Sequence, residues 1–271
     1  MVIIAPDDIL SYVYFHIPCE KFPLCTDRSG EEPLVDQTGD IKRIMNVYPR
    51  REDQILISLN AYRPISEFEK KLRRHYSFNR IFEFRNRSMD DRKIPMLYQY
   101  LKVANLEFPV GEYRKIPLKS AEKVWAGGLV KKWRDQYDRV IAIHTDTCPE
   151  KEWTDEQWSN LIRILHQNLK CYIFALGTPH LSSCFPYFEK IESDWHKQAA
   201  LLNEADGFIG IDSCWAHVAD SMGKKGVVLF SKYSNWRIWG PLSDNMKAVL
   251  CHNLKTMSAT EVWRKIESII S

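Results

Sequence analysis

From residue 139 onward the chain alternates short, wholly apolar runs with longer segments that are apolar only at every third or fourth position. The runs at 140–143, 172–176, 208–211 and 227–230 show no polar alternation, the mark of strands covered on both faces. Strands are therefore expected at 139–144, 170–176, 207–211, 226–230 and near 247–250. Helices are expected at 154–168, 196–205, 213–222 and 259–270. Strand and helix in strict succession predict right-handed βαβ units and a parallel sheet.

The first part of the chain is less regular. Strands are expected at 2–5, 54–59 and 80–84, and helices at 66–76 and 94–106. Residues 9–17 fit either strand or helix, 109–117 an extended crossing, and 120–137 a partial helix. Residues 18–40 hold Pro18, Pro23, Gly30, Pro33 and Gly39 and read as loop. The change of pattern divides the chain into domains 1–125 and 126–271, with the boundary falling between about 119 and 138.

Composition adds limits. With 271 residues, 45% hydrophobic and 27% charged, the chain can bury a substantial core in one large or two small α/β domains. The formal charge of +3 decides little, but between Lys42 and Lys93 basic residues outnumber acidic ones two to one. Aromatic residues are interleaved there, a pattern open to a nucleic-acid partner or to a solvated helix face over a core. Seven cysteines without tight metal spacing suit reduced, mostly buried thiols. No run reaches the roughly 18 apolar residues needed to span a membrane, and the start lacks the basic region of a signal peptide. A cytoplasmic protein is expected.

The segment Asp212-Ser213-Cys214-Trp215-Ala216-His217 lies between two apolar runs. It reads as a strand, a sharp turn and a helix with Asp212 or Ser213 as cap. Helix N-terminal amides at the carboxyl edge of a parallel sheet favour an anion such as a diphosphate. His217, one turn after Ser213, shares that face. Upstream, Thr145, Asp146 and Thr147 follow a strand, and Lys151 precedes a helix at Trp153-Thr154. A lysine so placed can neutralise a diphosphate. Trp153 and Trp158 read as packing residues and Asp146 as a structural one.

Four blocks in order carry a family resemblance: the strand into Thr145–Thr147 with Lys151-x-Trp153; Tyr172 to Gly177; Gln198 to Asp206; and Asp212-Ser213-x-x-x-His217 through Trp239-Gly240-Pro241. They resemble the nucleotide-sugar domain of the heptosyltransferases that use ADP-heptose in lipopolysaccharide assembly, glycosyltransferase family 9. Cys214 stands where the family has Gly. The resemblance implies an α/β protein of GT-B type, with two Rossmann-like domains of parallel strands. The N-terminal, acceptor-side domain is reduced or divergent, and the C-terminal domain takes the nucleotide sugar.

The implied activity is metal-independent, inverting transfer of a sugar from a nucleotide-diphosphate donor to a hydroxyl acceptor. Donor contacts fall on Thr145, Thr147, Lys151, Asp212, Ser213, Cys214 and His217. The nucleotide sugar is a co-substrate, so no cofactor and no metal ligand is expected. The acceptor is a glycan of lipopolysaccharide type, with a nucleic acid as the alternative the basic stretch permits. An inverting transfer needs a base, and Asp8 and Asp40 are the candidates in the first part. The rival reading is a nucleotide-sugar-binding or assembly protein without turnover. The last helix is expected to pack back on the first domain, as in the GT-B proteins the chain resembles.

Overall fold

The computed structural model describes residues 118–270 except 150, 178 and 183, together with 2–5, 55–58, 73–74, 80–83 and 99. The chain divides into two compact units, Met1–Arg114 and Lys115–Ser271. In the first, β1 (Val2–Ala5), β2 (Ile55–Ser58) and β3 (Arg80–Glu83) form a parallel sheet in that order. These are the strands expected at 2–5, 54–59 and 80–84, each within one residue at either end. Arg73, Arg74 and Gln99 are helical, inside the helices expected there. The expectations for 9–17, 18–40 and 109–117, and the candidate bases Asp8 and Asp40, lie outside the described residues.

The second unit opens with helix α1 (Ser120–Arg134), the helical part of the stretch 120–137. It continues through β4 (Arg139–His144), α2 (Asp155–Leu169), β5 (Cys171–Leu176) and β6 (Phe188–Lys190). Next come α3 (Trp195–Glu204), β7 (Gly207–Ile211), α4 (Cys214–Ser221) and β8 (Gly226–Ser231). The chain ends with the short α5 (Trp236–Trp239), β9 (Met246–Cys251) and α6 (Ala259–Ile270). All six strands are parallel, in the order β6-β5-β4-β7-β8-β9. The chain winds outward from β4 in one direction and from β7 in the other. The gap between those two carboxyl ends is the topological switch point, where open α/β sheets bind ligands.

Both faces are covered. Ile141, Ile143, Ile173, Ile209 and Leu229 point to the side closed by α2 and α6. On the other side Trp133 of α1 stacks on Tyr172 at 4.5 Å and on Phe174 at 5.5 Å. Helix α2 forms because Trp158, Leu161, Ile162 and Leu165 make one buried stripe and Thr154 caps its start by accepting from the Gln157 amide.

Helix α6 departs from expectation. Its Val262, Ile266 and Ile270 are buried in the core of the second unit. Arg139 on β4 donates to the Ile270 carbonyl, and Gln157 accepts from the Ala259 amide. Closing the sheet face above α2 thus satisfies its apolar stripe locally. The elements β6 and α5 were not foreseen. β6 is a three-residue edge strand with only Phe188 buried, and α5 is one turn begun by an Asn235 cap, so neither has a readable period.

Candidate functional site

The ends of β4 and β7 bring the two sequence motifs together. Lys151 Nζ pairs with Asp212 Oδ2 at 2.5 Å, and Thr147 Oγ1 donates to the Asp212 carbonyl at 3.1 Å. A turn in which the Lys151 amide bonds the Cys148 carbonyl shapes the loop that delivers the lysine. Thr145 is buried and donates to Asp146 Oδ1 at 3.1 Å. A pocket of about 200 Å³ opens beside Thr145 and Asp146, between the start of α2 and His180.

Asp212 and Ser213 do not serve α4 as side-chain caps. Asp212 is 8% exposed and its carboxylate is committed to Lys151. Ser213 occupies the cap position in extended backbone, but its Oγ lies 2.9 Å from His144 Nδ1. No side chain caps α4, so the positive end of its dipole stands at the carboxyl edge of β7. Cys214 is partly exposed at the first helical position, while His217 is 3% exposed, its ring within the fold. Trp215 is buried, stacked on Trp195 at 5.7 Å.

Two residues not assigned to the site from the sequence complete the arrangement. His144 ends β4 and is buried; burial holds its pKa down to about 4 against the opposing pull of Asp146. Gly177 follows β5 with φ +82°, and its amide donates to Gln198 Oε1 at 2.7 Å. Gln198 in turn donates to the Ser193 carbonyl. A Cβ on residue 177 would come within 2.9 Å of both Asp146 Oδ2 and His144 Nε2. Gly177→Ala is expected to lower stability by about 1–3 kcal/mol, from left-handed backbone strain plus overpacking. An unchanged denaturation midpoint would show that the strand end relaxes freely. The histidine could have been found in the sequence as the polar residue that ends the apolar run of β4.

Behind the site, the buried Asp220 on α4 accepts from the amides of Leu242 and Ser243 and from Ser243 Oγ. It thereby fastens the chain that follows Trp239-Gly240-Pro241. Trp236 and Tyr233 stay 40% and 61% exposed nearby. Among the described cysteines Cys148 and Cys184 are exposed, Cys214 is intermediate, and Cys171 and Cys251 are buried. Burial pushes the Cys171 and Cys251 thiols up to about 12 and about 11, which makes them poor nucleophiles. Among the described residues no His, Cys, Asp and Glu cluster could hold a metal ion, and no helix is long and apolar enough to cross a membrane.

On the expectation that Lys151 meets a diphosphate, Lys151→Ala should weaken nucleoside-diphosphate binding by about 1.5–3 kcal/mol, roughly 10- to 100-fold, the value of one charge-assisted contact. Calorimetry with ADP measures this; an affinity equal to wild type would remove Lys151 from the ligand's surroundings.

Residues 194–266 match the family model described as glycosyltransferase family 9 (heptosyltransferase). The match contains α3, β7, α4 and β8. Among curated proteins no sequence match is found. Solved structures are similar over nearly the whole chain. A family 9 glycosyl transferase from Veillonella parvula aligns with a TM-score of 0.73 and 14% identity, covering 99% of this chain and 96% of that one. The E. coli ADP-heptose lipopolysaccharide heptosyltransferase II gives 0.70 and 12%, covering 99% and 98%. An E. coli heptosyltransferase solved with ADP gives 0.66 and 13%, covering 98% and 99%. The chain thus has the α/β fold of the GT-B heptosyltransferases, and the segment similar to glycosyltransferase family 9 is the stretch that builds one side of the switch-point site.

Proposed function

We propose that this chain is a glycosyltransferase that moves a sugar from a nucleoside-diphosphate donor to a hydroxyl of a glycan acceptor, of the lipopolysaccharide type. The observation that carries the reading is the convergence of Lys151, Asp212 and Ser213 at the uncapped start of α4, within the family-matched part of the sheet. The donor diphosphate lies against the α4 amides, with Lys151 neutralising charge as it accumulates on the leaving group. Thr145, Thr147, Cys214 and His217 complete the donor's surroundings. Inversion requires direct attack by a deprotonated acceptor hydroxyl. Asp8 is the first choice of base and Asp40 the second. Stabilisation by lysine and helix dipole leaves no step that needs a metal ion. Neither the family match nor the structural neighbours support a nucleic-acid acceptor.

One observation favours a second reading. Cys214 places a side chain where the family resemblance has Gly, which crowds the backbone approach to phosphate and suits a protein that binds a nucleotide sugar without turning it over. Thermal-shift measurements with ADP-, UDP- and GDP-sugars test both. A donor at about 100 times its Kd should add ~2.7 kcal/mol to stability. Release of nucleoside diphosphate that depends on an added glycan, and is lost in Asp8→Asn, is the expected result. Binding without release would establish the second reading, and no binding would sink both.

A further inference from the structure

His144 has a role that rests on the reading of the site as a nucleotide-sugar site and adds to it. The ring ends β4, Ser213 begins the turn after β7, and their 2.9 Å contact spans the switch point itself. The histidine is held in place: His144 is 4% exposed and its ring lies 6.3 Å from that of the buried Trp215. At neutral pH the ring is uncharged, so one nitrogen carries a proton and the other a lone pair. Which is which decides what Ser213 can offer a ligand.

The surroundings of Gly177 favour one tautomer. His144 Nε2 and Asp146 Oδ2 both lie 2.9 Å from the same point, the place a Cβ on residue 177 would occupy. A carboxylate on that side favours the proton on Nε2. The lone pair then sits on Nδ1, facing Ser213 Oγ.

We propose that His144 is a positioning residue that accepts the Ser213 hydroxyl proton at Nδ1, so that Ser213 Oγ turns its lone pairs outward and receives a hydroxyl group of the donor rather than donating to its phosphate. The work divides accordingly. The amides of α4 and Lys151 take the diphosphate, whereas Ser213 reads a hydroxyl-bearing part, either ribose or transferred sugar. Glycine at 177 keeps the Nε2 side clear, and its bond to Gln198 holds the β5 end in register with the histidine.

Three probes separate the cases: inorganic pyrophosphate, ADP and ADP-glucose, each titrated calorimetrically into wild type, Ser213→Ala, His144→Phe and the double variant. Loss of one neutral hydrogen bond is expected to weaken binding about 3- to 10-fold. Pyrophosphate affinity should not change. ADP affinity falls if ribose is read; only ADP-glucose affinity falls if the sugar is read. The double variant should bind no worse than either single one, and His144→Gln, which retains an acceptor, should recover part of the loss. Equal weakening for pyrophosphate, multiplying losses in the double variant, or unchanged ADP-glucose affinity in His144→Phe would overturn the proposal. Ring-nitrogen NMR shifts of His144 in the wild-type protein give a check independent of the variants, and a proton found on Nδ1 would also overturn it. Wild type that binds none of the three probes would instead overturn the reading of the whole site.

Discussion

Replacing Asp220 by Ala is expected to destabilise the second unit by about 3–5 kcal/mol, or to lower its melting temperature by roughly 10 °C. The carboxylate is 1% exposed and accepts three hydrogen bonds, two from backbone amides and one from Ser243 Oγ. Removing it leaves the amides of Leu242 and Ser243 without these acceptors and opens a small void under α4. Asp220→Asn keeps the shape but accepts well at only one oxygen, so it should fall between wild type and Ala. The connection after α5 should loosen with it, visible as faster amide exchange at 242–243 than in the sheet. If Asp220→Ala melts within about 1 °C of wild type, the turn is anchored by other contacts.

The second large effect is a dependence on acid. His144 has a folded-state pKa of about 4, lowered by burial and only partly restored by Asp146, against 6.5 for an unperturbed histidine. Below about 6.5 the unfolded chain binds a proton that the folded ring refuses, so folding stability falls as pH drops from about 6.5. The loss levels off near pH 4, where the folded ring titrates too. Its full extent is about 3 kcal/mol, at ~1.4 kcal/mol for each pH unit that separates the folded from the unfolded pKa. Urea denaturation of wild type and His144→Gln at intervals from pH 7 to 4 measures it. The variant's curve should be flatter by that amount, and parallel curves would mean that the ring is not a neutral buried group.

The second unit was legible because its strands are buried on both faces and so write themselves as unbroken apolar runs. Strands 139–144 and 207–211 match to the residue, and the other expected elements of the sheet fall within a residue or two. Juxtaposition of Lys151 with the Asp212-Ser213 turn followed from parallel topology alone, because both loops leave the same sheet edge. Side-chain partners did not follow. Asp212 and Ser213 are ordinary helix caps by residue type, yet each is drawn to a partner from the β4 side, Lys151 and His144, across more than sixty positions of sequence. Local preference loses there to a long-range ion pair and to a buried imidazole that needs a partner. The position of α6 was misjudged for a similar reason: an amphipathic stripe states that a helix needs a cover, not which one.

The Lys151–Asp212 pair has a consequence for how a ligand arrives. An isolated lysine would set up a field reaching about a Debye length into solvent and would draw in any anion. Locked against a carboxylate at 2.5 Å, it presents a dipole whose field fades within a few ångströms. Bare phosphate or sulfate therefore feels little attraction from afar, and capture depends on short-range fit. A ligand that offers negative oxygens to the lysine and hydroxyl protons to the aspartate can engage both ends of the dipole without separating them. On the proposed reading, the site is thereby tuned against simple anions and toward molecules that join an anion to an alcohol. Association should be slower than charge-steered capture and only weakly sensitive to salt.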